Sequence, residues 1–232
     1  MLQRVKIRQL KKLTLRYSGI DINAFCGGNL MSKMNIGNVS SKKLLDGIID
    51  IVETVFISVF VITMFFTFVL RMATVKGESM IPTLYPDEKV LVSSWYKNPE
   101  QGDIVIIDCK EAVVFGDDGA LEYRNGLDKK IVKRIIAVEG QKIDIDFQKG
   151  FVYVDGVPLN EDYVSGLTHF DEGAFTGKYP LIIPEGYVFV LGDNRGISKD
   201  SRDKSIGLVS VDSILGEAVF IISPWKNIGF IK

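Results

Sequence analysis

Four short segments of the 232-residue chain hold residues whose types and spacing could do chemistry. The first is Gly77-Glu78-Ser79-Met80-Ile81-Pro82-Thr83-Leu84. A serine held between a glycine and a proline turn can present its hydroxyl, but serine is a weak nucleophile and needs an adjacent base. The second, Lys97 to Ile106 (KNPEQGDIVI), is a turn leading into a strand. The third, Ile131 to Gly140 (IVKRIIAVEG), sets Lys133 and Arg134 within a run of β-branched residues. The fourth, Leu191 to Arg202 (LGDNRGISKDSR), is dense in turn formers and in charges that can pair. Taken singly, each has a plain structural reading as a turn serine, a turn into a strand, a solvated or edge-protecting cation pair and a loop.

The single histidine, His169, lies in a polar, Gly-rich stretch (SGLTHFDEGAFTG) and reads as an exposed loop residue. One histidine excludes a multi-histidine zinc site, and any Ser-His-Asp or Cys-His arrangement would depend on this one loop position. The base for Ser79 is therefore expected elsewhere. Two cysteines, Cys26 and Cys109, exclude a disulfide scaffold.

The elements that must position these segments begin with an apolar run. Thr54 to Leu70 (TVFISVFVITMFFTFVL) is 17 residues without a charge, extended backward by Ile48, Ile49, Ile51 and Val52. As a helix this uncharged stretch is about 26 Å long, and with its flank it reaches the ~30 Å of a bilayer core. A signal peptide would have a shorter apolar region nearer the N-terminus, and a buried core helix seldom goes five turns without a polar face. The run reads as one transmembrane helix over residues 44–72. Residues 1–43 carry nine Lys or Arg and one acid, a balance of +8, whereas the whole chain sums to −1. That asymmetry places a basic arm in the cytoplasm against anionic lipid and residues 73–232 outside, a single-pass protein of the cell membrane. Cys26 and Cys109 then fall on opposite sides and are not expected to pair. Met31 and Met34 are alternative starts to Met1. The near-neutral total argues against nucleic acid as a partner.

Beyond the span the pattern turns to short strands separated by Gly, Pro, Asn and Asp: Lys89–Ser93, Asp103–Ile107, Ile131–Val138, Lys142–Asp146 and Tyr187–Leu191. In Phe151 to Leu159 (FVYVDGVPL), Asp155-Gly156 between apolar runs predicts a tight hairpin with both central residues at positive φ. The polar stretches near 110–130 and 161–180 are expected to be insertions or long loops. The fold class is mainly β, one N-terminal transmembrane helix followed by an antiparallel, barrel-like β domain.

The four segments in this order after one membrane span resemble the bacterial type I signal peptidases, and most closely their Gram-positive branch. In that family an S-M-x-P-T-L box carries the nucleophile, a K-R box carries a general-base lysine, and a G-D-N-R-x-x-S-x-D-S-R box closes the site. The resemblance runs from the span to about residue 222. It implies Ser79 as nucleophile, Lys133 as base and Ser198 as the residue orienting the lysine amine. It implies an oxyanion hole from the backbone N–H groups of Ser79 and Gly77, the latter where other members carry a serine. Met80, Leu84, Ile131 and Val132 match positions near the family's shallow substrate pockets, and as apolar residues they read equally as plain core. Arg134, Asp193, Asp200 and Arg202 match a structural charge frame, with Arg134 facing Asp193 and Asp200 facing Arg202. Gln141 stands where the family usually has an aspartate, a departure that touches a local turn.

A free lysine, with a pKa of ~10.4, is neutral only about once in 2,500 at pH 7, so burial must lower the pKa of Lys133. Strand alternation puts Ile131 and Ile135 on its face, and Val132 and Arg134 on the other. The implied reaction is acyl transfer without cofactor or metal, on the signal peptides of secreted preproteins, with membrane lipid and the translocation machinery nearby. Two alternatives stand beside it: a membrane-anchored β domain that binds partners without catalysis, and a self-cleaving Ser-Lys protease of the repressor type. The second would carry a DNA-binding domain in place of the apolar run.

Overall fold

The computed structural model of the chain describes residues 36–231, with side chains from residue 42 onward. The basic arm, Cys26 and the alternative starts lie outside the described residues. Helix α1 (Ile36–Phe68) is long and apolar enough to cross a membrane over Lys42–Phe68, about 40 Å of helix, and its apolar side chains are exposed all round. It stops four residues short of the expected end at residue 72. Leu70, Arg71 and Met72 belong instead to a strand, because Leu70 to Thr74 pairs residue for residue with Ser93 to Lys89.

That strand is β1 (Leu70–Thr74), and eleven more follow: β2 (Lys89–Ser93), β3 (Ile104–Phe115), β4 (Leu121–Ala137), β5 (Lys142–Asp146), β6 (Phe151–Val154), β7 (Val157–Pro158), β8 (Leu181–Ile182), β9 (Tyr187–Leu191), β10 (Val209–Ser210), β11 (Ile214–Ser223) and β12 (Gly229–Phe230). They form two sheets in which every strand pairing is antiparallel. The larger has the order β1-β2-β11-β3-β4-β9-β10, with β12 on β11, and the smaller has the order β7-β6-β5-β8. The mainly β expectation holds. The bounds of β2, β5 and β9 coincide with the runs read from the sequence, and Asp155 (φ 53°) and Gly156 (φ 79°) form the foreseen tight turn.

The stretch 110–130 is not a loop. It continues β3 and β4 as a long hairpin, in which Glu111 to Phe115 faces Asn125 to Leu121 around a turn at 116–120. The ladder slips at 126–128, where Asp128 has φ 50° and Gly126 approaches the Cys109 carbonyl so closely that a Cβ would lie 2.7 Å from its oxygen. Lys178 closes the tip by donating to the carbonyls of Phe115 and Gly116, each at 2.5 Å. Residues 161–180, by contrast, hold no strand and run as an irregular strap.

Three apolar clusters hold the sheets. One joins the two sheets through Ile136, Ile143, Ile145, Val152, Phe175 and Phe189. A second packs Met80 and Leu84 against Val90, Val92, Ile104 and Ile221, and a third gathers Val105, Ile107, Ile135, Val188 and Val190. Phe175 is completely buried and meets Phe115, Tyr179 and Phe189 within 6.3 Å between ring centres. Removing its ring leaves a cavity as well as lost transfer energy. Phe175→Ala is expected to cost about 3–5 kcal/mol, read as a lower urea midpoint at unchanged slope.

Candidate active site

Ser79 sits in the connection from β1 to β2. The base of this connection is closed by Val75 N–H donating to the Glu88 carbonyl at 2.8 Å and Asp87 N–H donating to the Val75 carbonyl at 3.0 Å. Gly77 adopts φ 79°, a conformation that glycine takes without strain, and a helical turn follows in which Leu84 N–H donates to the Met80 carbonyl at 2.9 Å. Met80 and Leu84 are buried in the second cluster and anchor that turn. Burying each is worth about 1.5–3 kcal/mol. Of the four apolar positions matched to the substrate pockets, Met80 and Leu84 are thus core residues, and Ile131 and Val132 keep partial exposure.

Lys133 lies on β4, opposite Val105 of β3, and is 3% exposed. Its amine is 2.8 Å from the Ser79 hydroxyl and donates to the Val132 carbonyl at 2.9 Å. Burial disfavours the ammonium and brings the group down to about 8, against the opposing pull of Asp200, Asp193, Cys109 and Glu172, which favour the charged form. At that value roughly one lysine in ten is neutral at pH 7.

The two expected ion pairs are both formed. Arg134, next to Lys133, grips Asp193 with Nε at 2.9 Å and Nη2 at 2.7 Å, and both side chains are buried. Arg202 grips Asp200 in the same bidentate manner at 2.8 and 2.9 Å, both fully buried. Such forks combine charge with fixed geometry. Around them stand residues that the sequence did not single out. Thr83 donates to Asp193 at 2.5 Å, and the Tyr163 ring lies 4.0 Å from the Arg134 guanidinium. Arg195, itself buried, pairs with Glu161 and donates to Thr168 at 2.6 Å. The separations of 27 and 34 residues from Arg195 to Thr168 and Glu161 leave no local pattern by which these partners could be read.

The 192–202 loop also holds the serine turn. Asn194 donates through its backbone N–H to the Ser79 carbonyl at 3.0 Å and through its amide to the Glu78 carbonyl at 3.2 Å. Gly192 is required by proximity, because a Cβ there would lie 2.5 Å from the Ser79 carbonyl oxygen and 2.6 Å from the Ser198 Cβ. Ser198 is buried at this junction, but the hydrogen bond expected from it to the lysine amine is not formed. Its hydroxyl has no hydrogen-bond partner among the described residues. Gln141 serves its turn by accepting the Val138 N–H at 2.9 Å and reaching Asp155 at 3.4 Å. His169 is exposed in the strap with Nδ1 3.1 Å from the Phe147 carbonyl, and Cys109 is buried as a free thiol.

A hydroxyl beside a buried, partly neutral amine is an arrangement for nucleophilic attack. The chain is similar to known proteins. Residues 48–225 match the family model described as signal peptidase, peptidase S26. Signal peptidase IB of Staphylococcus aureus (strain N315) is 33% identical over 201 residues, 80% of this chain and 93% of that protein. A probable signal peptidase I-1 of a Synechocystis species is 32% identical over 169 residues, 70% and 77% of the two chains. The crystal structure of a signal peptidase I from Enterococcus faecalis V583 is 30% identical, covering 52% of this chain and 97% of that one, with a TM-score of 0.37.

Removing the charge of Asp200 leaves the Arg202 guanidinium buried without its close carboxylate. Asp200→Asn is expected to cost about 3–5 kcal/mol in urea unfolding, well beyond a surface ion pair.

Proposed function

The chain belongs to the signal peptidase family, peptidase S26, and we infer that it is a membrane-anchored serine endopeptidase that removes signal peptides from translocated preproteins through a Ser79–Lys133 dyad. The observation carrying this reading is the 2.8 Å separation between the Ser79 hydroxyl and an amine that burial brings into the neutral range. With the amine neutral, one N–H donates to the Val132 carbonyl and the nitrogen lone pair is available to the serine hydroxyl. Lys133 takes the proton as Ser79 Oγ attacks the scissile carbonyl, and the lysine then passes that proton to the leaving amine. Water, deprotonated by the same lysine, hydrolyses the acyl-enzyme and returns the proton to Ser79.

The developing oxyanion is met by the backbone N–H of Ser79 and that of Gly77, whose φ of 79° turns the chain at that point. Asn194 holds the two carbonyls beside this turn, those of Glu78 and Ser79, and fixes the direction in which the peptide groups face. Ile131 and Val132, partly exposed ahead of Lys133 on β4, are positioned to meet the small side chains of an A-x-A-like cleavage site.

Location follows from the helix. Lys42–Phe68 anchors the chain in a bilayer, with the basic N-terminal arm in the cytoplasm and the β domain on the outer side, where translocated preproteins emerge. Membrane lipid and the translocation machinery are then the neighbours of the site. No step of this reaction calls for a metal ion.

Cleavage of a purified preprotein by the full-length chain in detergent or lipid tests the reading. Ser79→Ala and Lys133→Ala are each expected to abolish cleavage at the A-x-A site while leaving the unfolding free energy of the domain in urea within about 1 kcal/mol or raised. Near-normal turnover by either variant would remove the dyad. Gly192→Ala, whose methyl group must displace the Ser79 carbonyl, is expected to lose at least about 10-fold in kcat from a misplaced nucleophile.

A further inference from the structure

The guanidinium of Arg134, the residue after Lys133, lies over the ring of Tyr163, its central carbon 4.0 Å from the ring centre. Tyr163 comes from the irregular strap over residues 161–180, outside the four segments that hold the rest of the site. A guanidinium is flat and directs its N–H groups outward in its own plane. Arg134 donates through Nε and Nη2 to Asp193 at 2.9 and 2.7 Å, through Nη1 to the Gly102 carbonyl at 2.9 Å, and through Nη2 to the Thr83 hydroxyl at 3.3 Å. These bonds fix the edge of the group and leave its faces to packing. An aromatic ring attracts a cation lying against its face, and more strongly where water is excluded. Arg134 is 3% exposed.

The strap is fastened on both sides of this ring. Two residues before it, Glu161 pairs with the buried Arg195. Two residues after it, Ser165 N–H donates to the Asp193 carbonyl at 2.8 Å. The Tyr163 hydroxyl itself donates to Glu161 at 3.3 Å. Burial first, and then the charge of Glu161, push that hydroxyl up to about 12, so it keeps its proton and remains the donor. Farther along, Thr168 accepts from Arg195 at 2.6 Å, the Phe170 carbonyl accepts from Arg202 at 3.2 Å, and Glu172 stands 4.0 Å from Arg202. Tyr163 is therefore held against Arg134 by chain that is tied to the 192–202 loop, and its place there does not depend on the ring alone.

Arg134 stands where the two halves of the site are joined. Lys133 precedes it on β4, and Thr83 lies four residues after Ser79 in the same turn. Thr83 accepts from Arg134 and donates to Asp193 at 2.5 Å, which closes a triangle of Arg134, Asp193 and Thr83. Of the bonds Arg134 makes here, the one to Thr83 is the longest, and a guanidinium that tips out of its plane releases it first. The ring over the guanidinium resists that tilt. We propose that Tyr163 is a positioning residue of the cleavage reaction, which by stacking on Arg134 keeps the Ser79 turn and the Lys133 strand at the separation that proton transfer requires, an inference that rests on the Ser79–Lys133 reading.

The test is the separate measurement of kcat and KM for preprotein cleavage by the full-length chain in lipid vesicles, comparing the unaltered protein with Tyr163→Leu, Tyr163→Phe and Tyr163→Trp. Leucine keeps apolar bulk without an aromatic face, phenylalanine keeps the face without the hydroxyl, and tryptophan offers a larger face. Tyr163→Leu is expected to lower kcat by about 10-fold with KM within about twofold, whereas the Phe and Trp variants keep kcat within about threefold of the unaltered protein. Three results would overturn the proposal. Normal kcat in Tyr163→Leu removes the role, an equal loss in Leu and Phe transfers it to the hydroxyl and Glu161, and a loss confined to KM makes Tyr163 a substrate contact. If Tyr163→Leu does not fold, Tyr163→Met takes its place, and if neither folds the ring belongs to the fold and the proposal fails. Lys133→Ala, run alongside, keeps the two readings apart. If it is inactive while Tyr163→Leu turns over normally, the inference on Tyr163 fails and the dyad stands. If it is active, the dyad itself fails.

Discussion

A lysine amine buried against a serine hydroxyl is the contact around which the other features of this site are arranged. An ammonium taken out of water and left without close counter-charge is unstable, and the amine responds by giving up its proton. The protein makes that response possible by what it keeps away from Lys133 as much as by what it places there. The nearest partners are neutral, a serine hydroxyl and a backbone carbonyl. The carboxylates within reach would hold the lysine charged if they were free, and Asp193 and Asp200 are instead each taken up by an arginine fork. Arginine suits this purpose because it stays charged even when buried.

The frame has a second consequence, in geometry. Ser79 and Lys133 are 54 residues apart and meet only because β4 runs between β3 and β9, and the loop leaving β9 holds the serine turn. Gly192 lets that loop touch the Ser79 backbone, and Asn194 fastens it there. Arg134 donates to Asp193 on this loop and to the Gly102 carbonyl in the turn before β3. Its ion pair therefore joins the strand of Lys133 to the loop that supports Ser79. Precision in the Ser79–Lys133 contact comes from elements buried on both sides, with Met80 and Leu84 driven into the core next to the serine.

What could be read from the sequence divides along physical lines. The strands β2, β5 and β9 and the Asp155-Gly156 turn announce themselves through apolar alternation and turn chemistry, which act over a few residues. Ser79, Lys133, Arg134, Asp193, Asp200 and Arg202 were legible as chemically loaded segments, and their grouping came from resemblance to a family. The outer part of the β3–β4 hairpin was hidden because its β4 strand faces water over most of residues 121–130 and is held by backbone pairing, to which polar residues contribute as well as apolar ones, while Ala112, Val113 and Val114 opposite are buried in a run too short to announce a strand. The strap was legible as irregular chain, but its task was not: Glu161, Thr168, Tyr163 and Glu172 acquire meaning only when folding brings them onto arginines 27 to 34 residues away. Ser198 is buried at the junction, but its hydroxyl makes no hydrogen bond to the lysine amine among the described residues, a detail of side-chain geometry that no sequence pattern carries.

The proposed reaction depends on one property, that folding delivers a lysine neutral enough to act as a base. Its most direct measure is an NMR titration of the full-length chain carrying 13C at the lysine methylene next to the amine, with the Lys133 signal identified by its loss in Lys133→Met. A midpoint near 8, more than two units below the ordinary 10.5, is the result this account requires. A Lys133 signal that titrates with the surface lysines near 10.5 would contradict it, since an amine charged throughout the working range has no lone pair to accept the serine proton.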